Sequence, residues 1–296
     1  TQAEAAIEDP KTTAAAFSVL IKNFRTQMKP SGPAPDGKDK AAIKKLQADI
    51  DKKLEEDKNG ILSATKVKID EIKENLTRDA TAAKAQITEE TRIETDNKII
   101  ILTNEANAKK DIINNKSKAE ESTASLDEKA VALKEIAVID ATLKADLKNA
   151  LIDAKAKIDK ATAEIDANLE ANKTIQDLGI TAESLREITW KVAGATIEKA
   201  KADPDTAIKN KLKDIEEEAN TVAQREARKA DNDASENIAK ERENAQEIIK
   251  SKNTKIENDT NSQKEQVKVA LKSEMITQIT TIDGNTAAAK AKLGAG

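Results

Sequence analysis

The chain has 296 residues, with 50 Lys plus Arg against 54 Asp plus Glu, a formal net charge of −4, and no His, Cys or Tyr. Charged residues make up 35% of it, above the roughly 25% of an average soluble protein, and its apolar residues are mostly Ala, Ile and Leu, a composition of long helices or coiled coils. Without His and Cys it lacks the commonest general base, the thiolate nucleophile and most transition-metal ligands, and its interspersed charges offer no basic face for nucleic acid.

A non-enzyme is therefore expected, with no cofactor, no metal and no small-molecule substrate. The longest aliphatic run is Ile99-Ile100-Ile101-Leu102, far short of the ~20 residues of a membrane span. No apolar leader opens the chain. It begins at Thr1 without a Met, and removal of a signal peptide would fit that. An extracellular or cell-surface location is the favoured expectation.

Asp9-Pro10 reads as an N-cap with Pro at the first helical position. The helix it opens puts Phe17, Leu20, Ile21, Phe24 and Met28 on one face. Residues 1–29 are thus expected to form an amphipathic helix whose apolar face docks either on its own bundle or on another subunit or partner. Residues 30–37, Pro-Ser-Gly-Pro-Ala-Pro-Asp-Gly, form a linker stiffened by its prolines.

From 38 to about 121 there is no Pro, and Gly60 is the one Gly. Ile43, Leu54, Thr65, Leu76 and Ile87 are spaced by eleven, as are Ile50, Ile61, Ile72 and Ala83. Eleven residues in three turns is ~3.67 per turn, so such a stripe runs nearly straight or drifts right-handed. At 1.5 Å per residue this helix would be roughly 120 Å long.

The spacing of Ser125 and Glu128 suits a capping box, so a second helix is expected over 125–202. Its ladder is Ile136, Leu147, Ile158 and Leu169, with Leu143, Ala154 and Ile165 beside it. Gly179 followed by Thr181 reads as a C′ glycine and a fresh N-cap, so a break is expected near 179. The segment after that break carries Leu185, Ile188, Trp190, Val192 and Ile197 and would lie at a bundle tip. A packing plug around Trp190 and an outward contact there are the two readings of that segment.

Asp203-Pro204 opens a third helix, expected over 205–283. Leu212, Ala223, Ala234, Ala245, Ile256 and Val267 form one eleven-residue row, and Ala227, Ile238, Ile249, Thr260, Leu271 and Ile282 another. Gly284 is expected to end it. No segment alternates like a strand.

The fold class is therefore all-α: an elongated antiparallel bundle of very long, Ala-rich helices with hendecad, coiled-coil-like periodicity, turning near 122 and 203, plus the N-terminal helix. Domain by domain this is 1–29, 30–37 and a helical rod over 38–296.

Motifs with other chemistry fail on inspection. Gly32 to Asp39 has phosphate-loop spacing, but Pro33 and Pro35 lack the N–H groups a phosphate needs. Asp231-Asn232-Asp233 opens like a Ca²⁺ loop but meets Glu236 where Gly is required and Arg242 where Glu is. Glycosylation sequons at Asn75, Asn115, Asn172 and Asn258 match chance frequency in so Asn-rich a chain.

The leading functional expectation is a structural, self-associating protein, a filament, sheath or stalk subunit whose partners are other copies of itself. The alternative is an amphipathic membrane-associated or tip-inserting protein such as a pore-forming toxin component. Against it, the long faces are Ala and Ile, not bulky residues flanked by Lys and Arg. A third reading, a desiccation-type protective protein disordered until dried, conflicts with the regular Ile/Leu ladder.

Overall fold

The computed structural model describes residues 40–119, 126–203 and 209–294. They form three long helices packed on one another: α1 (Lys40–Ala119), α2 (Leu126–Ala202) and α3 (Lys209–Gly294). The protein is all-α over these residues. The Phe17, Leu20, Ile21, Phe24, Met28 face, the 30–37 linker and the turn near 122 lie outside them.

Why these segments are helical follows from what they lack and how they tolerate what they hold. None of the three contains Pro. Their many threonines return a hydroxyl hydrogen bond to the carbonyl one turn back, as in Thr77 to Lys73, Thr88 to Lys84 and Thr254 to Lys250. Asp127 and Glu128 in the first turn of α2, and Lys199 and Lys201 in its last, complement the helix dipole.

Two expected helix breaks are absent. α2 passes through Gly179 without interruption. Thr181 does not cap a new helix there; its hydroxyl bonds the Asp177 carboxylate 3.3 Å away, along the same helix. Ile180 and Ala182, buried on either side of position 181, hold the segment helical against a glycine penalty of about 1 kcal/mol. α3 likewise runs through Gly284 to Gly294. Beyond that glycine Thr286 bonds Ile282 O at 2.8 Å and Lys290 pairs with Asp127 of α2.

The chain divides into two compact units. In the first, Thr1–Ile61 with Arg186–Ala227, Asp57 pairs with Lys191 at 3.2 Å and Asp51 with Lys199. Lys201 of α2 reaches Glu216 of α3 at 3.4 Å. Buried Ala193, Ala195, Ala202, Ala223 and Ala227 line its interior.

In the second unit, Leu62–Leu185 with Arg228–Gly296, ion pairs record the register. Along α1 the partners Lys68, Lys73, Lys84, Glu94 and Lys110 take Glu183, Asp177, Asp166, Lys157 and Asp140 of α2 in turn. One helix steps back a residue for each residue the other advances, so α1 and α2 are antiparallel. α3 runs antiparallel to α2 in the same way, through Lys134–Asp283, Lys144–Glu274, Lys264–Asp153 and Lys160–Glu257.

Candidate assembly surface

The interior is made of small side chains. Among the described residues the buried apolar positions are alanines except for Ile180 and Leu271. The ladder residues Leu54, Leu76 and Ile87 of α1, Ile136 and Leu147 of α2 and Ile256 of α3 are only half-buried. An alanine core lets helices approach closely but removes little apolar area from water per residue.

Some large aliphatic side chains stand exposed, a few scattered along the helices (Leu46, Leu62, Val67, Leu185, Val192, Val222 and Ile248) and the others toward one end of the second unit. Ile93, Ile100, Ile101 and Ile112 of α1, Val131, Leu133, Val138 and Leu151 of α2, and Val269 and Ile276 of α3 are exposed. The pairs Glu94–Lys157, Lys110–Asp140 and Lys144–Glu274 put these stretches side by side. Ile112 is 68% exposed, an unusual position for an isoleucine beside a core of alanines.

Where the described residues bury polar groups, the groups are mixed in their satisfaction. Thr65 stands in an α1 ladder position and its hydroxyl meets that of Ser184 in α2. Thr91 is 2% exposed and its hydroxyl is buried without a hydrogen-bond partner, as are the carbonyl oxygens of the Asn149 and Asn253 side chains.

Charged groups on the surface are engaged locally. The Arg92 guanidinium hydrogen-bonds Glu89 at 2.7 and 2.9 Å and Asp96 at 2.6 Å. That hydrogen bond holds the Glu89 carboxyl below its usual value and pushes the guanidinium higher still. Lys240 does the same to Glu236 from 2.6 Å. In a shallow groove beside Lys73, Arg78 and Lys173, the two lysines pair with Asp177 and Glu170 and Arg78 donates to the Asn75 amide oxygen.

The sequence-predicted contact residues fall as follows. Leu185, Ile188, Trp190, Val192 and Ile197 lie inside continuous α2, with Leu185 and Val192 exposed and the other three half-buried. The break that would make them a tip is absent. Asp231 to Ser235 is regular helix, with Ser235 bonded to Asp231 O at 2.8 Å. Among the described residues no group of His, Cys, Asp or Glu converges as a metal site, and no helix is long and apolar enough to cross a membrane. No protein-family model, curated protein or solved structure matches the chain.

Residue spacing does not reveal the exposed cluster, because it does not tell which sides of a helix are covered: within Ile99 to Leu102, Ile99 and Leu102 are half-buried while Ile100 and Ile101 face out.

Proposed function

We propose that this chain is a structural subunit that associates with copies of itself, in a filament, sheath or stalk. The observation carrying this reading is a core whose fully buried apolar residues are alanines apart from Ile180 and Leu271, beside other isoleucines, leucines and valines that stand exposed. A monomer gains more from burying the larger groups, at about 25 cal/mol per Å² of apolar area. Leaving them on the surface makes sense where another surface covers them. We also infer that the eleven-residue spacing is the packing repeat of the helices, since ladder residues on all three are turned from solvent.

The test is light scattering of the full chain over a concentration series, with negative-stain microscopy of the same samples. Ordered assemblies that grow with concentration are the expected result. A monomer at every concentration overturns the reading.

A further inference from the structure

In the first unit α2 lies between its two neighbours. Lys199 pairs with Asp51 of α1, and Lys201, two residues on, pairs with Glu216 of α3. Two residues are about 200° apart on a helix, so α1 and α3 flank α2 on opposite sides and leave it two further faces. The run Ala193-Gly194-Ala195 tells these faces apart. Ala195 is one turn from Lys191 and Lys199, on the α1 side, and Ala193 is on the other; both are buried. Gly194 points between them, toward one of the remaining faces, and is buried as well. Trp190 and Glu198, one turn to either side of it, are half-buried. Val192 and Thr196, on the opposite face, are exposed.

Elsewhere on α2 the same stripe is open. Gln176, Gly179, Glu183 and Glu187 share the direction of Gly194 to within about 60°, and all four are exposed. Lys201, beyond Glu198, is exposed again. The flanking helices run alongside the open and the covered stretches alike, as Lys68–Glu183 and Asp57–Lys191 record for α1 and Lys160–Glu257 and Lys201–Glu216 for α3. A further segment therefore covers α2 from Trp190 to Glu198, over about 12 Å.

Chain order and chemistry identify that segment. Residues 204–208 pass directly from α2 into α3, and Trp190 lies about 18 Å back along α2 from Ala202. Residues 120–125 join α1 to α2 in the second unit. The stretch before Lys40 instead enters α1 in the first unit. The Asp57–Lys191 pair puts Trp190 about 26 Å along the axis from Lys40, and residues 29–39, when extended, span up to about 36 Å. Phe17, Leu20, Ile21 and Phe24 would occupy about 10 Å of helix, close to the length of the covered stretch. Residues 10–29 also carry Lys11, Lys22, Arg25 and Lys29 and no acid, while the charged residues beside Trp190 and Gly194 in the stripe, Glu187 and Glu198, are both acidic.

We propose that the Phe17, Leu20, Ile21, Phe24 face of the chain's own N-terminal segment docks on the Trp190, Gly194, Glu198 face of α2. Gly194 costs helix propensity but lets an aromatic ring approach the backbone beside the indole. This docking is independent of the self-association proposed above.

Trp190 is the one Trp and there is no Tyr, so indole emission reports this face alone. The full chain carrying Phe17→Ser with Phe24→Ser is expected to emit at longer wavelength, with acrylamide quenching about twofold steeper than in the unsubstituted chain. Ile100→Ser with Ile112→Ser, at two exposed positions of the second unit, should change neither reading, and circular dichroism melts check that α1 to α3 stay folded in both. Unchanged emission and quenching in the Phe variant overturn the proposal, as does an equal change in the Ile variant. A second measurement leaves the apolar face intact. A nitroxide on Asn23→Cys, the one thiol in a protein without cysteine, should quench Trp190, whereas the same label on Thr81→Cys, exposed on α1, should not. Equal quenching from both labels, or none from Asn23→Cys, overturns the proposal. Emission of the unsubstituted chain should also be the same at every concentration. A shift to longer wavelength on dilution would mean that a second copy supplies the segment, and overturns its assignment to the same chain.

Discussion

Thr65 of α1 and Ser184 of α2 join their hydroxyls across the helix interface, at a place where the α1 ladder otherwise carries Ile or Leu. Ser184 is buried and also donates to Ile180 O at 2.9 Å. The pair is thus a small satisfied polar network inside an apolar seam. Removing one partner strands the other, whereas removing both leaves a dry contact. Thr65→Val and Ser184→Ala should each lower unfolding stability by about 1 kcal/mol, and the double variant by less than their sum. Urea denaturation of the four species completes the cycle. Strict additivity would show that the two hydroxyls do not cooperate.

Thr91 gives the opposite sign. Its hydroxyl is buried with no partner, so the group lost its water hydrogen bonds on folding and regained none. Thr91→Val keeps the shape and removes the polar atom. The variant is expected to gain about 1 kcal/mol over the wild type in the same denaturation experiment. A loss of stability would mean that the hydroxyl has a partner in solution.

The three helices were legible because a long stretch free of Pro leaves helix as the default. What failed to show was anything decided by tertiary context. Gly179 with Thr181 looks locally like an end and a start, yet α2 runs on through them, with Ile180 and Ala182 buried on either side of position 181. The exposed Ile93, Ile100 and Ile112 are silent in sequence because spacing alone does not say which sides of a helix its neighbours cover.

Ala223 is 1% exposed, and its methyl group sets how closely the helices of the first unit approach. A larger side chain must move its neighbours or adopt a strained rotamer. Ala223→Leu should destabilise the protein by about 1–3 kcal/mol despite its greater hydrophobicity, far more than the small difference in helix propensity between the two residues. Thermal melts against Ala239→Leu, an exposed mid-helix site, separate overpacking from propensity. Equal melting temperatures for the two variants would contradict the tight approach at Ala223.

Glu89 offers a pH-dependent readout on the surface. The Arg92 hydrogen bond holds its carboxyl below the usual 4.5, with burial opposing weakly and the guanidinium charge assisting. A depressed folded-state value means the bridge favours the folded chain above the unfolded value. That contribution fades as pH falls through the folded value. Both groups are in water, so the effect is local. In an NMR titration of side-chain carboxyls, Arg92→Gln is expected to return Glu89 upward to its ordinary value while leaving Glu236 low. Glu236 depends on Lys240 instead, and a shift there would point to a global change of fold.

Gly179 separates the two ways of reading its own neighbourhood. A glycine that ended a helix in the left-handed region would resist any side chain, because a Cβ is strained there. Within continuous α2, a Cβ built on Gly179 meets nothing within 4 Å. Alanine then gains helix propensity and restricts the unfolded chain without a clash. Gly179→Ala should therefore raise stability by about 0.5–1 kcal/mol, and Gly284→Ala, equally open and mid-helix, should behave the same way. Chemical denaturation reads both. If Gly179→Ala were destabilising by 1 kcal/mol or more, α2 would have to break at that residue, and Leu185 to Ile197 would return as a separate segment.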